Sequence, residues 1–128
     1  MSPERIDLEA PIGEDFEPVV RLVVGGIADR IDLGFADVDD LQLAVERLLA
    51  VTSAEPTARL SFEVGDRSIR ARVGPLREAA VAEALQREPQ PGELTLRRVL
   101  QTVVDSFGVE TAADGRIVVR LEKLKVTP

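Results

Sequence analysis

Two neighbouring segments that alternate between apolar and polar residues restrict the fold of this chain more than any other feature. Residues 58–64 and 68–73 alternate strictly across a tight Gly65-Asp66 turn, which predicts a β-hairpin. One face of this hairpin is apolar: Leu60, Phe62, Val64, Ile69, Ala71 and Val73. The other face is polar: Arg59, Ser61, Glu63, Arg70 and Arg72. Such one-sided patterning predicts a sheet with helices on one face and solvent or a partner on the other.

Residues 37–51 have the spacing of a helix that would cover this sheet. Apolar residues recur every three or four positions and form one stripe: Val38, Leu41, Ala44, Val45, Leu48 and Leu49. Asp37 and Asp40 resemble a capping box, and their charge suits the positive end of the helix dipole. We therefore expect a helix that begins at Asp37 and turns this stripe towards the core.

Three further segments have helical character. Residues 14–31 form a long amphipathic pattern with Gly25-Gly26 in its middle. These glycines either let another backbone pack closely, which we favour, or only weaken the helix by about 1 kcal/mol each relative to Ala. Residues 76–86 are rich in Ala, and residues 94–107 are amphipathic up to Gly108, which is expected to end the helix.

The remaining extended segments complete the sheet. Residues 5–8 predict a first strand, and residues 109–111 and 117–123 predict a closing hairpin across Ala113-Asp114-Gly115. Gly74-Pro75 is expected to end the central hairpin. The order strand, helix, helix, hairpin, helix, helix, hairpin predicts an α+β protein, a two-layer α/β sandwich. Its mixed, mainly antiparallel sheet should carry helices on one face.

The composition excludes several functional classes. The 128 residues, taken as a single domain spanning 1–128, are 45% hydrophobic and carry a net charge of −7, which disfavours binding to nucleic acid. The absence of Cys and His excludes the usual zinc sites, disulfides, thiol nucleophiles and histidine catalysis. No apolar run is long enough for a signal peptide or membrane span, so we expect a cytoplasmic protein.

The helix at residues 37–51 also carries a resemblance to a known family. Its segment Asp40-Leu-Gln-Leu-Ala-Val-Glu46 resembles the second helix of the anti-sigma regulatory factors. These are serine kinases of the histidine-kinase-like ATPase (GHKL) superfamily. Residues 100–124 are similar to the family's last helix and terminal strands. The resemblance implies the Bergerat-type fold of that superfamily for most of the chain, and a homodimer.

The same resemblance implies a nucleotide site that this sequence does not complete. In the family, this helix supplies a general-base Glu and, four residues later, an Asn that holds the magnesium of ATP. Arg47 and Val51 occupy these positions here. The family's adenine-binding Asp-x-Gly segment corresponds to residues 71–76, which keep Gly74 but no acid. The family's Gly-rich phosphate turn is represented by Gly92 alone.

We therefore predict a degenerate relative of the family, without catalytic residues, bound nucleotide or metal. It would bind a protein partner, either a sigma factor or an anti-sigma antagonist. Two alternatives remain open at this point. One is an active ATP-dependent serine kinase that binds ATP and magnesium through other residues. The other is a structural or dimerisation module in signalling.

Overall fold

The strands and helices follow one another along the chain in the predicted order. The computed structural model describes residues 4–11, 17–51, 57–86, 90–92 and 95–125. The strands in this part of the chain are β1 (Glu4–Pro11), β2 (Thr57–Val64), β3 (Ser68–Arg77), β4 (Ser106–Thr111) and β5 (Arg116–Leu124). The helices are α1 (Glu17–Asp29), α2 (Phe35–Val51), α3 (Glu78–Gln86) and α4 (Leu96–Val103).

The strands form one sheet in the order β1-β2-β3-β5-β4. Each neighbouring pair among these described strands is antiparallel, so the sheet is antiparallel throughout rather than mixed. β1 and β4 are its edges. β1 is longer than residues 5–8 because it pairs with β2 from Glu4 to Pro11. The α+β prediction is confirmed.

The core lies between one face of the sheet and the helices. Each residue of the hairpin's predicted apolar face is buried, with Val64 the most exposed at 8%. These side chains form one cluster with the buried residues of all four helices. Leu41, Ala44, Val45 and Leu48 of α2 are fully buried. The α2 stripe therefore faces the core, as its spacing predicted.

The helix predicted at residues 14–31 ends at Asp29, and residues 14–16 lie outside the described part. Asp32 adopts a left-handed conformation with φ 53°, and the Leu33 amide donates to the carbonyl of Ala28 at 3.1 Å. The same carbonyl accepts from the Ile31 amide at 3.3 Å, so the turn supplies partners at the end of the helix. The turn also returns Ile31 and Leu33 to the core.

The start of α2 differs from the prediction. The Val38 amide donates to the carbonyl of Gly34 at 2.9 Å, so the helix begins at Phe35 and Asp37 already lies in its first turn. The prediction of Asp37 as the N-cap is wrong. Its carboxylate instead lies 3.4 Å from the Lys123 ammonium, a charged partner that attracts it more strongly than a neutral amide.

α4 is shorter than the predicted helix at residues 94–107. Thr95 is the N-cap, and its hydroxyl accepts from the Arg98 amide at 3.3 Å. The helix ends at Val103, and Phe107 and Gly108 belong to β4. The prediction that Gly108 ends the helix is wrong, because pairing with β5 recruits these residues into the sheet.

Gly74-Pro75 does not end β3. The strand continues to Arg77 through a bulge between Val73 and Leu76, so Leu76 belongs to β3 rather than to the following helix. The extra residue turns Leu76 to the core and leaves Pro75 exposed. A side chain at Gly74, where φ is 151°, would place its Cβ 2.9 Å from the Ile117 carbonyl oxygen. Only glycine fits this close approach.

The two glycines of α1 have a different environment from the one predicted. A Cβ at Gly25 would meet the Gln42 side chain at 3.6 Å, an ordinary contact, and one at Gly26 would meet nothing within 4 Å. The prediction that another backbone packs closely on them is wrong among the described residues.

Candidate functional site

The two family positions on α2 lie near its C-terminal end. Arg47 is exposed and makes no hydrogen bond or ion pair with the described residues, and Val51 is the last residue of the helix. A guanidinium stays protonated at every physiological pH and cannot act as a base. A valine side chain offers no oxygen to magnesium.

The other two family positions lie in backbone turns. Gly74 is buried in the β3 bulge, where its hydrogens face the backbone of Ile117 and Val118. Gly92 has φ 80° and stands in a turn directly after Pro91. A phosphate cradle needs several consecutive free amide groups, and proline supplies none. Within the described residues 90–92, Pro91 therefore adds no amide group to such a cradle.

Glu46, the residue before Arg47, forms an ion pair with a residue of α1. Its two oxygens accept hydrogen bonds from Nε and Nη2 of Arg21, the second at 3.4 Å. The Gln42 amide also donates to the Arg21 carbonyl at 2.9 Å. The hydrogen bond to Glu46 raises the pKa of the Arg21 guanidinium. Glu46 therefore joins α1 to α2.

Lys123 is the only buried charged residue in the described part of the chain, at 8% exposure. Its ammonium donates to the carbonyl of Val103 at 2.8 Å, at the C-terminal end of α4. It also lies 3.4 Å from a carboxylate oxygen of Asp37 and 3.5 Å from one of Asp40. This cluster joins α2, α4 and β5 at one point. In the described residues, Asp and Glu form no group of three or more that could hold a metal ion.

Ion pairs cover the outer face of the sheet. Arg72 donates to Glu63 at 2.7 Å and to Glu110 at 3.3 Å, while Arg120 reaches Glu110 at 3.5 Å. Another pair joins Arg70 to Glu122 at 3.1 Å. The hydrogen bond to Glu63 raises the pKa of Arg72, against the opposing effect of burial. The pairs run across β2, β3, β5 and β4.

Glu110 separates two like charges on neighbouring strands. Arg72 and Arg120 are directly paired across β3 and β5, which would be unfavourable without a carboxylate between them. Gly108 leaves room for this arrangement, because a Cβ there would lie 2.8 Å from Nη2 of Arg120. Gly108 therefore accommodates a guanidinium on the sheet surface.

Sequence reasoning missed the Lys123 cluster, although one signal was present. Lys123 continues the alternation of Ile117, Val119 and Leu121, so its position on β5 already placed it on the inner face. Its partners could not be found from spacing, because Asp40 lies 83 positions away. The polar outer face of the central hairpin was predicted, but the pairing of its charges was not.

Comparisons with known proteins give a partial match. No protein-family model matches the chain. A stretch of 43 residues, 34% of the chain, is 42% identical to the serine-protein kinase RsbW of Halalkalibacterium halodurans. The match spans only 26% of that protein. No helix in the described residues is long and apolar enough to cross a membrane. The chain is thus similar, over about a third of its length, to part of a serine-protein kinase.

Proposed function

We propose that this protein is a regulator of the anti-sigma type that acts by binding a protein partner, without nucleotide chemistry. The observation that carries this proposal is the 42% identity over 43 residues to RsbW. At the positions that the resemblance assigns to the general base and the magnesium ligand, the chain has Arg47 and Val51. The expected partner is a sigma factor or an anti-sigma antagonist, both of which act in the cytoplasm.

Three features support the absence of ATP turnover. Arg47 places a permanent cation where the family has a general base, and Val51 replaces the magnesium ligand. The segment that keeps Gly74 supplies no carboxylate for adenine, because Arg72 stands two residues before this glycine, where an Asp-x-Gly segment has its acid. The neighbouring carboxylate of Glu46 is already paired with Arg21.

Isothermal titration calorimetry with Mg-ATP tests this proposal directly. We expect no binding heat at millimolar ATP, because each missing charge-assisted hydrogen bond costs roughly 1.5–3 kcal/mol of binding free energy. An ATP-binding serine kinase, titrated with Mg-ATP in the same calorimeter, provides the positive control. A dissociation constant in the micromolar range would contradict the proposal.

An active ATP-dependent serine kinase is the second candidate, and the similarity to the serine-protein kinase RsbW favours it. A kinase would transfer the γ-phosphoryl group of labelled ATP to a serine of a co-purified partner. We expect capture from the native cytoplasm to recover a partner whose binding does not depend on ATP. Labelled phosphate on that partner, absent without this protein, would favour the kinase instead.

The proposal includes a homodimer. Its support is the family resemblance, together with the two sheet edges, β1 and β4, that the described residues leave uncovered. Multi-angle light scattering should give about twice the chain mass of 13.9 kDa at high micromolar concentration. A mass equal to one chain would contradict the dimer and leave partner binding untouched.

A further inference from the structure

The two most exposed large apolar residues of the described chain lie on neighbouring helices. Phe35, at the start of α2, is 90% exposed, and Leu22, in the middle of α1, is 76% exposed. The chain contains four Phe and no Trp or Tyr, so Phe35 is one of only four aromatic rings in the sequence. Large exposed apolar side chains that lie together mark interaction sites.

Helix geometry places both residues along the outer side of the junction between α1 and α2. Phe35, Gln42 and Glu46 share one stripe of α2, and the last two contact Arg21 of α1. On α1, Leu22 shares a stripe with Gly25, which faces Gln42. Phe35 and Leu22 therefore flank the same junction.

Gly26 follows Leu22 by four residues and therefore lies on the same side of α1. Gly26 is exposed, and a side chain added there would meet nothing within 4 Å. Since no described part of this chain uses the space above Gly26, the backbone of another helix can approach there. We call Leu22, Gly26, Asp29, Phe35 and Asp39 the junction surface.

The charge of the junction surface is negative. Asp29 and Asp39 belong to it and Asp32 lies beside it, and all three are exposed. Asp39 acts on the Arg21 guanidinium through its charge, but no side chain of the three makes an ion pair or hydrogen bond in the described part of the chain. The nearby cations are already paired: Arg21 with Glu46, and Arg30 with Glu4 at 2.7 Å. On the outer sheet face, by contrast, Glu63, Glu110 and Glu122 each have an arginine partner.

We propose that the junction surface binds an amphipathic helix of a partner protein, one that carries an apolar stripe flanked by Lys or Arg. The apolar stripe would cover Phe35 and Leu22, and the basic residues would pair with Asp29, Asp32 and Asp39. A second copy of this chain is disfavoured, because it would bring these aspartates against their own equivalents. The inference rests on the proposed function, since it names the surface and chemistry of the partner.

The test uses a labelled synthetic peptide of about four helical turns, with a leucine stripe flanked by lysines. Fluorescence anisotropy should show binding, and Phe35→Ser and Asp39→Lys should each weaken it by about tenfold or more. Val109→Ser and Asp66→Lys are matched controls, because Val109 is 50% exposed on β4 and Asp66 is exposed in the β2–β3 turn. Both should bind like the unmodified protein. Phe35 is too exposed for its loss to unfold the chain.

A second peptide, with glutamate in place of each lysine, should not bind. The proposal is overturned if the lysine peptide fails to bind, if the glutamate peptide binds equally well, or if Phe35→Ser and Asp39→Lys bind like the controls. Sedimentation that reveals self-association abolished by Phe35→Ser would also overturn it, since a second copy would then be the occupant. ATP binding, measured by calorimetry on the same sample, would overturn the proposed function without affecting the peptide result.

Discussion

A single residue, Lys123, connects three elements of this protein. Its stem lies on the inner face of the sheet among apolar side chains, and its ammonium donates to the Val103 carbonyl at 2.8 Å. That carbonyl is at the negative end of the α4 dipole, which favours a cation. The carboxylates of Asp37 and Asp40 add two charged partners. A buried ammonium is stable here because its charge is compensated.

Replacing Lys123 with Ala should lower the free energy of unfolding by about 2–4 kcal/mol, because a buried stem and a hydrogen bond to a buried carbonyl are lost together. Urea denaturation measures the change. Lys125→Ala is the matched control, since its side chain has no partner in the described part of the chain; it should change stability by less than about 0.5 kcal/mol. Equal effects of the two variants would contradict the role given to Lys123.

Two glycines should respond to alanine in opposite directions. Gly74→Ala should destabilise by about 2 kcal/mol or more, since φ 151° and a backbone oxygen at 2.9 Å leave no relaxed position for a Cβ. Gly26→Ala should stabilise by about 0.5–1 kcal/mol, because it gains helix propensity in open space. Thermal unfolding followed by circular dichroism measures both. A stabilising Gly74→Ala would show that the bulge is not a tight approach.

At the scale of elements, the segment after Thr95 was ambiguous in sequence. Val99, Leu100, Val103 and Phe107 satisfy helical spacing, while Phe107 and Val109 satisfy the alternation of a strand. Hydrogen bonding to β5 decides between helix and strand. The Asp105 amide donates to the Glu122 carbonyl at 2.9 Å, and the Asp105 carboxylate accepts from the Leu124 amide at 2.7 Å. These bonds to β5 end the helix early and extend the strand.

Replacing Leu48 with Asp should cost several kcal/mol, about 3–5, because it places an unpaired charge at a position with no solvent exposure. The control is Leu22→Asp, the same change on the exposed side of α1, which should cost less than about 1 kcal/mol. Urea denaturation of both variants checks the prediction. A Leu48→Asp protein as stable as Leu22→Asp would show that α2 does not cover the sheet.

At the scale of the whole molecule, nucleotide binding would need groups from α2, β3 and the turn before α4 to converge. Replacing Val51 with Asn, alone or with Arg47→Glu, therefore should not create ATP binding. The adenine and phosphate contacts near Gly74 and Gly92 would still be missing, a deficit of several kcal/mol or a few decades in affinity. Calorimetry with Mg-ATP measures this. Low-micromolar binding by either variant would mean that the unmodified protein already contains the pocket.

Much of the architecture could be predicted from local patterns. The alternation of residues 58–73 determined a hairpin with one buried face, and the stripe of Leu41, Ala44, Val45 and Leu48 determined which side of α2 meets it. The alternation and the stripe are both informative because each apolar residue favours burial by itself, whatever its partners are. The assignment of Arg47 and Val51 to the positions of the general base and the magnesium ligand also comes from the sequence alone, and it stays a prediction.

Tertiary structure decided what depends on partners distant in sequence. Whether Asp37 caps its helix or binds Lys123, and whether Phe107 joins α4 or β4, is settled by contacts with β5. The requirement for glycine at Gly74 comes from the Ile117 carbonyl, and the 90% exposure of Phe35 is a property of the folded chain. Spacing along the chain carries no information about such distances, because they exist only once the sheet has assembled.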